Sequence, residues 1–135
     1  MVGERKYLHT FADLVDRLSI VLLKSIYIRE QREAYRVEMA LIKHDIHLLG
    51  FDAELLYDTL VLMLANRVIW ENESKARAGG SEQDKLLKFT HSINGVRNQA
   101  KNRIAVANGQ RLDKKVDCLA ADLPPEFGDW AHVFD

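Results

Sequence analysis

The chain has 135 residues, 47% of them hydrophobic and 29% charged, which suits a single domain with a buried core and excludes a disordered tail. Nineteen Lys and Arg face twenty Asp and Glu, a formal charge of -1, which argues against general nucleic-acid binding, since that needs a surplus of cations, and leaves room only for a local basic patch. Cys118 is the only cysteine, which leaves no internal disulfide and fits a reducing compartment. Residues 1–10 include Glu4 and no apolar stretch, so they do not read as a signal peptide. Apolar runs such as 60–65 are far shorter than the roughly 20 residues of a membrane span. The expected location is cytoplasmic, with no membrane contact.

Glycine and proline place the joints. The first helix starts at Thr10, where Thr10-Phe11-Ala12-Asp13 resembles a capping box with Asp in place of Glu. Phe11, Leu14, Val15, Leu18, Val21 and Leu22 follow at helical spacing. The pattern weakens over Arg29-Glu30-Gln31-Arg32-Glu33 and resumes through Tyr35, Met39, Ile42, Ile46 and Leu49. Unbroken, this helix would be about 57 Å long at ~1.5 Å per residue, so it either projects or breaks near Arg29 to Glu33.

Gly50 is the natural stop, and Asp52 can cap a second helix that runs to about Ala78. Gly79-Gly80 ends it. Ser81-Glu82-Gln83-Asp84 opens a third helix, closed by Asn108-Gly109. Residues 111–121 suit a short helix, Pro124-Pro125 stops it, and residues 126–135 read as an extended arm with Phe127, Trp130 and Phe134. The expected fold is an all-α bundle of three main helices, the first long and possible to break in two. Residues 1–109 form the bundle, and 110–135 add a short helix and an arm to the same domain.

The second helix is apolar nearly all round. At ~100° per residue, Leu55, Leu62, Met63, Ile69 and Trp70 lie near one line, which Asn66, Glu73 and Arg77 continue as polar residues. Val61, Leu64 and Val68 take the opposite side, so this helix is central in its bundle or covered by another subunit. The third helix has a stripe of Leu86, Ile93, Ala100 and Ile104 edged by Arg97, with Asn94, Asn98 and Lys101 beside it. Gly95 lies mid-helix, where it favours close approach of a backbone or ligand. The first helix offers Asp13, Arg17 and Lys24 between apolar flanks.

If these rows converge, they build a pocket. Arg17, Lys24, Arg77 and Arg97 would hold an anion, Asn66, Asn94 and Asn98 would read donor and acceptor edges, Glu73 would add one carboxylate, and Trp70 would stack a ring. A nucleotide or another phosphorylated anion is the expected ligand. The same rows also read as structure: Asp13–Arg17 and Glu73–Arg77 are i, i+4 pairs, and a buried polar network can set helix register.

Other chemistry is thinner. His44 and His47 could face one metal from a helix, but no cysteine or strong carboxylate partner completes a known spacing, and a solvated face is expected. Asp13 and Asp16, with Glu71 and Glu73, suggest the acidic pairs by which helical nucleotide pyrophosphatases hold magnesium, without their full E-x-x-E and E-x-x-D spacing. Cys118 reads as a structural thiol. No phosphate loop, nucleophile elbow or zinc motif is present. Trp130 and Phe134 would either anchor on another subunit or pack back on their own domain.

Three segments together resemble uncharacterised helical proteins of phages and bacteria: residues 13–20 followed by Lys24, N-x-x-I-W-x-x-E-x-x-x-R over 66–77, and I-N-x-x-R-N-x-x-K-N over 93–102. The likeness spans about residues 10–105 and leaves the tail uncovered. It implies a helical fold and a phage or bacterial origin, and no activity. The expected function is therefore a small-ligand-binding helical module without a cofactor. The alternatives are a structural or interaction protein acting through homo-oligomerisation, and a magnesium-dependent nucleotide phosphohydrolase using Asp13, Asp16 and Glu73.

Overall fold

A computed structural model describes residues 8–77, 79, 83–107, 109 and 128–135. Among these the chain is all-helical, with four long helices: α1 (Phe11–Tyr27), α2 (Arg32–Leu48), α3 (Ala53–Arg77) and α4 (Gln83–Ala107). The first predicted helix is two, separated by a 3-10 turn at Arg29–Gln31. Ile28 leaves helical conformation at φ -118 and ψ 86, with neither glycine nor proline at the break. The reason is burial. Only a reversal lets Met39, Ile42 and Ile46 of α2 meet Leu14, Leu18, Val21 and Leu22 of α1 in one core.

Local chemistry places the ends. The Thr10 hydroxyl accepts from the Asp13 N–H at 3.1 Å, and the Asp13 carboxylate accepts from the Thr10 N–H at 3.3 Å, so the capping box is formed. Gly50 closes α2 at φ +89, where its N–H donates to the His47 carbonyl and that of Phe51 to Ile46. Those paired bonds are a Schellman closure, which favours glycine at this position. The Asp52 carboxylate then accepts from the Leu55 N–H at 3.0 Å and starts α3. Phe11 and Phe51 stack at 3.8 Å, tying this turn to the first turn of α1.

The result is two helical hairpins, α1–α2 and α3–α4, sharing a core. The α3 contribution corrects the sequence reading. Its buried residues are Ala53, Tyr57, Asp58, Val61, Ala65, Val68, Ile69 and Asn72, so of the line read from the sequence Ile69 is buried whereas Met63 and Trp70 are exposed. Large apolar residues surround α3, so size alone gives no direction; small Ala65 here and Ala100 on α4, both fully buried, mark the side the hairpin closes on. Asn72 is tolerated there because its amide donates to the Val68 carbonyl at 2.7 Å. On α4 the buried stripe is Phe89, Ile93, Val96 and Ala100, and Gly95 is buried too.

Residues 128–135 pack onto their own domain rather than reaching away from it. Trp130 is 1% exposed, and Val133 is buried beside it. The segment is not fully extended: residues 131–134 turn, with the Asp135 N–H donating to the His132 carbonyl at 3.0 Å. The Asp129 N–H donates to the Ile26 carbonyl at 2.6 Å, satisfying an acceptor that the end of α1 leaves free. The Ser81 cap, the helix over 111–121, Cys118, Pro124-Pro125 and Phe127 lie outside the described residues.

Candidate functional site

The predicted site residues are spread over α1, α3 and α4. Arg17 does not pair with Asp13, which is committed to the cap; its guanidinium grips Glu38 of α2 at 2.6 and 2.9 Å. Lys24 is half-buried on α1, and Asn94, Arg97 and Asn98 are half-buried along α4. On α3, Asn66 and Trp70 stand outward, on the side away from the buried stripe, and Arg77 reaches Glu73 at 3.8 Å. The α3 row thus stays together as a row, but it faces solvent rather than the bundle interior.

The acidic pairs separate as well. Asp13 and Asp16 line a cleft of about 630 Å³ between α1 and α2 with Arg17, Glu38 and Asp45. Glu71 instead lies near Tyr27, whose hydroxyl is pushed up by burial and further by Glu71, against the pull of Arg67. Tyr27 is the last residue of α1 and Asp13 belongs to its first turn, about 21 Å apart along the helix. No group of three or more His, Cys, Asp or Glu among the described residues is placed to hold a metal ion. His44 pairs with Asp45 at 3.1 Å, and His47 meets the Phe51 carbonyl at 3.1 Å, both at exposed positions.

Two polar clusters went unforeseen. The first lines a cleft of about 370 Å³ between α2, α3, α4 and residues 132–135. Lys43 pairs with Glu54 at 3.2 Å, and Arg103 binds Asp58 at 2.8 Å while reaching Glu54 at 3.6 Å. Each cation also lies on a ring, Lys43 at 4.7 Å from Tyr57 and Arg103 at 4.9 Å from Phe134. Burial pushes Asp58 above the usual carboxylate range, although its bond to Arg103 pulls the other way. Burial likewise pushes the Tyr57 hydroxyl far up, and it donates to the Val133 carbonyl at 2.6 Å. Lys43 and Arg103 are already matched by carboxylates, so this cleft ties four elements together rather than attracting an anion.

The second cluster joins Ser25, His132 and Asp129. His132 Nε2 lies 3.1 Å from Ser25 Oγ, and its Nδ1 lies 3.7 Å from Asp129, which Arg32 binds at 2.8 Å. These residue types invite a comparison with a nucleophilic triad, and the hydrogen bonds decide against it. Ser25 spends its one proton on the Leu22 carbonyl at 2.7 Å, so it accepts from His132, whereas a nucleophile must donate to its base. Ser25 is also fully buried. No sequence signal marks these contacts: the partners of Ser25 and Arg103 are 107 and 45 residues away.

The outward side of α3 also carries large apolar side chains. Met63 is 66% exposed and Trp70 72% exposed, seven residues apart on the outward side of α3, with Asn66 between them. Thr59, Met63, Asn66, Trp70, Glu73 and Arg77 recur at spacings of four and three, the repeat of a helix that packs along a seam.

Fold and site together define an all-α protein of two packed hairpins with an exposed aromatic helix face. The chain matches no family model, no curated protein and no solved structure.

Proposed function

We propose that this protein is a self-associating helical module whose contact face is the outward row of α3. The observation that carries the reading is the exposure of Trp70 beside Met63 on one heptad line, because a large aromatic left in water is a typical interface anchor. A second copy suits the row because the row is self-complementary. An antiparallel α3 centred on Asn66 sets Asn66 against its own counterpart, and an amide both donates and accepts. The same alignment puts Trp70, about 6 Å along the axis on one side, near the partner's Met63 at about 4.5 Å, a favourable sulfur–aromatic contact. It also sets Glu73 opposite the Thr59 hydroxyl of the second copy.

Sedimentation velocity across a concentration series tests this. A dimer is expected, and Trp70→Ala should weaken it by about 2 kcal/mol or more, roughly thirtyfold in Kd, with helix content unchanged. A strictly monomeric protein at high concentration refutes the reading.

A nucleotide-binding reading draws on the same exposed ring. Trp70 would stack a base, Asn66 would read its edge, and Arg77 would leave Glu73 for a phosphate. It predicts saturable quenching of Trp70 fluorescence by nucleotides, lost in Arg77→Ala. Unquenched emission across a nucleotide panel removes it.

A further inference from the structure

Residues 128–135 are held against the hairpins by Asp129 on Ile26 and Arg32, by Tyr57 on the Val133 carbonyl and by Arg103 on Phe134, and one buried imidazole, His132 on Ser25, sits among these contacts; this device does not depend on what α3 binds. The His132 side chain is 2% exposed. With the Ser25 proton on the Leu22 carbonyl at 2.7 Å, its oxygen is the acceptor for His132 Nε2 at 3.1 Å, which sets the neutral ring with its proton on Nε2. Nδ1 is then a bare lone pair, buried and without a hydrogen-bond partner among the described residues. The ring is thus seated as the neutral tautomer.

The charges around it make a second proton unwelcome. Within the segment, Asp129 lies 3.7 Å from Nδ1 but is bound by Arg32 at 2.8 Å. From α2, Arg32 and Arg36 both oppose a positive ring, and Glu33 is spent on Arg36 at 3.0 Å. From α3 and α4, Glu54 and Arg103 line the same cleft and are bound to each other, next to un-ionised Tyr57. From α1 the contact is uncharged Ser25. An imidazolium here would share the single carboxylate of Asp129 with Arg32, in a site where its side chain is shut off from water.

We propose that protonation of His132 undocks residues 128–135, so that the segment is a latch closed near neutral pH and opened by mild acid. Burial holds the His132 ring below the ordinary histidine range, against the pull of Asp129. The sign follows. The undocked ring takes a proton as pH falls through about 6.5 while the docked ring resists, so docking weakens below that value. Undocking would uncover the Trp130 indole and the face of α1 around Ile26 that Gly128 touches.

Trp130 reports the event directly, since the chain has two tryptophans and Trp70→Phe leaves Trp130 alone. Between about pH 7.5 and about pH 5, its emission should shift to the red of a water-exposed indole while far-ultraviolet helix content holds. His132→Gln should abolish the shift with the indole still buried. The titration of the His132 ring, followed by NMR in the unsubstituted chain, supplies a readout that does not depend on the variant folding and should fall below the ordinary histidine value. A blue emission maintained to the acid end, a red shift persisting in His132→Gln, helix loss in step with the shift, or a ring that titrates normally would each overturn the latch.

Discussion

Arg103 of α4 binds Asp58 of α3 at 2.8 Å across 45 residues of sequence, and the two side chains differ sharply in burial, 39% against 5% exposed. The guanidinium bridges outward to Glu54 and to the face of Phe134, while the carboxylate is sealed inside the hairpin. This asymmetry makes the two deletions unequal. Arg103→Ala strands a buried carboxylate and should destabilise by about 2–3 kcal/mol. Asp58→Asn keeps the shape and removes a charge that burial disfavours, so it should stay within about 1 kcal/mol. Because Asp58 is raised, its favourable contribution is complete below the unfolded carboxylate value and is lost as pH rises through the raised one. Thermal melts of both variants at acid and neutral pH check the order: Arg103→Ala should lose less at the acid end.

Gly128 sits at φ +96, and a Cβ there would lie 2.7 Å from Ile26 Cγ2 and 3.1 Å from Tyr27 Cε1. Gly128→Ala therefore meets backbone strain and a clash at once, and should weaken docking of the segment by about 1–3 kcal/mol. Trp130 emission at neutral pH, in a Trp70→Phe background, should already be red-shifted. An unshifted spectrum would mean that the segment tolerates a side chain at its entry.

The α3 stripe gives a paired comparison. Ala65 is fully buried between the hairpin helices and Met63, two positions earlier, is in solvent. Ala65→Leu should destabilise by about 1–3 kcal/mol through overpacking, and Met63→Ala should fall within about 0.5 kcal/mol when measured in dilute solution. Chemical denaturation of the two variants reads the difference, and equal losses would contradict the stripe.

Thr10→Ala removes the hydroxyl that accepts the Asp13 N–H, leaving only the bond from the backbone N–H of residue 10 to the Asp13 carboxylate. The expected loss is about 1 kcal/mol, a few degrees in Tm for a domain of this size. Hydrogen exchange should show fraying confined to the first turn of α1.

The helical class, the cap at Thr10, the Gly50 closure and the Asp52 cap were legible along the chain, because each cap depends on neighbours within about four residues. The first helix read as either projecting or broken near Arg29, and burial of α2 against α1 decided for the break. The candidate site was legible only as a list of residues. Asn66, Trp70, Glu73 and Arg77 do share one line of α3, as their spacing requires. Which side of α3 that line occupies could not be read from it, since Leu55, Val61, Leu62, Leu64, Val68 and Ile69 leave no polar face to orient the helix.

Sequence by itself therefore determined what repeats at helical period or closes a turn locally: three main helical stretches, the first with a weak point near Arg29, and most of their ends. Tertiary structure alone decided which faces meet. Antiparallel closure of the hairpins turned α3 so that Ala65 is buried and Trp70 is in water, and it drew Arg103 to Asp58. Packing of residues 128–135 brought His132 to Ser25, 107 residues away. Such contacts follow from minimising the exposed apolar area of the whole chain at once, a quantity that no local window of sequence contains.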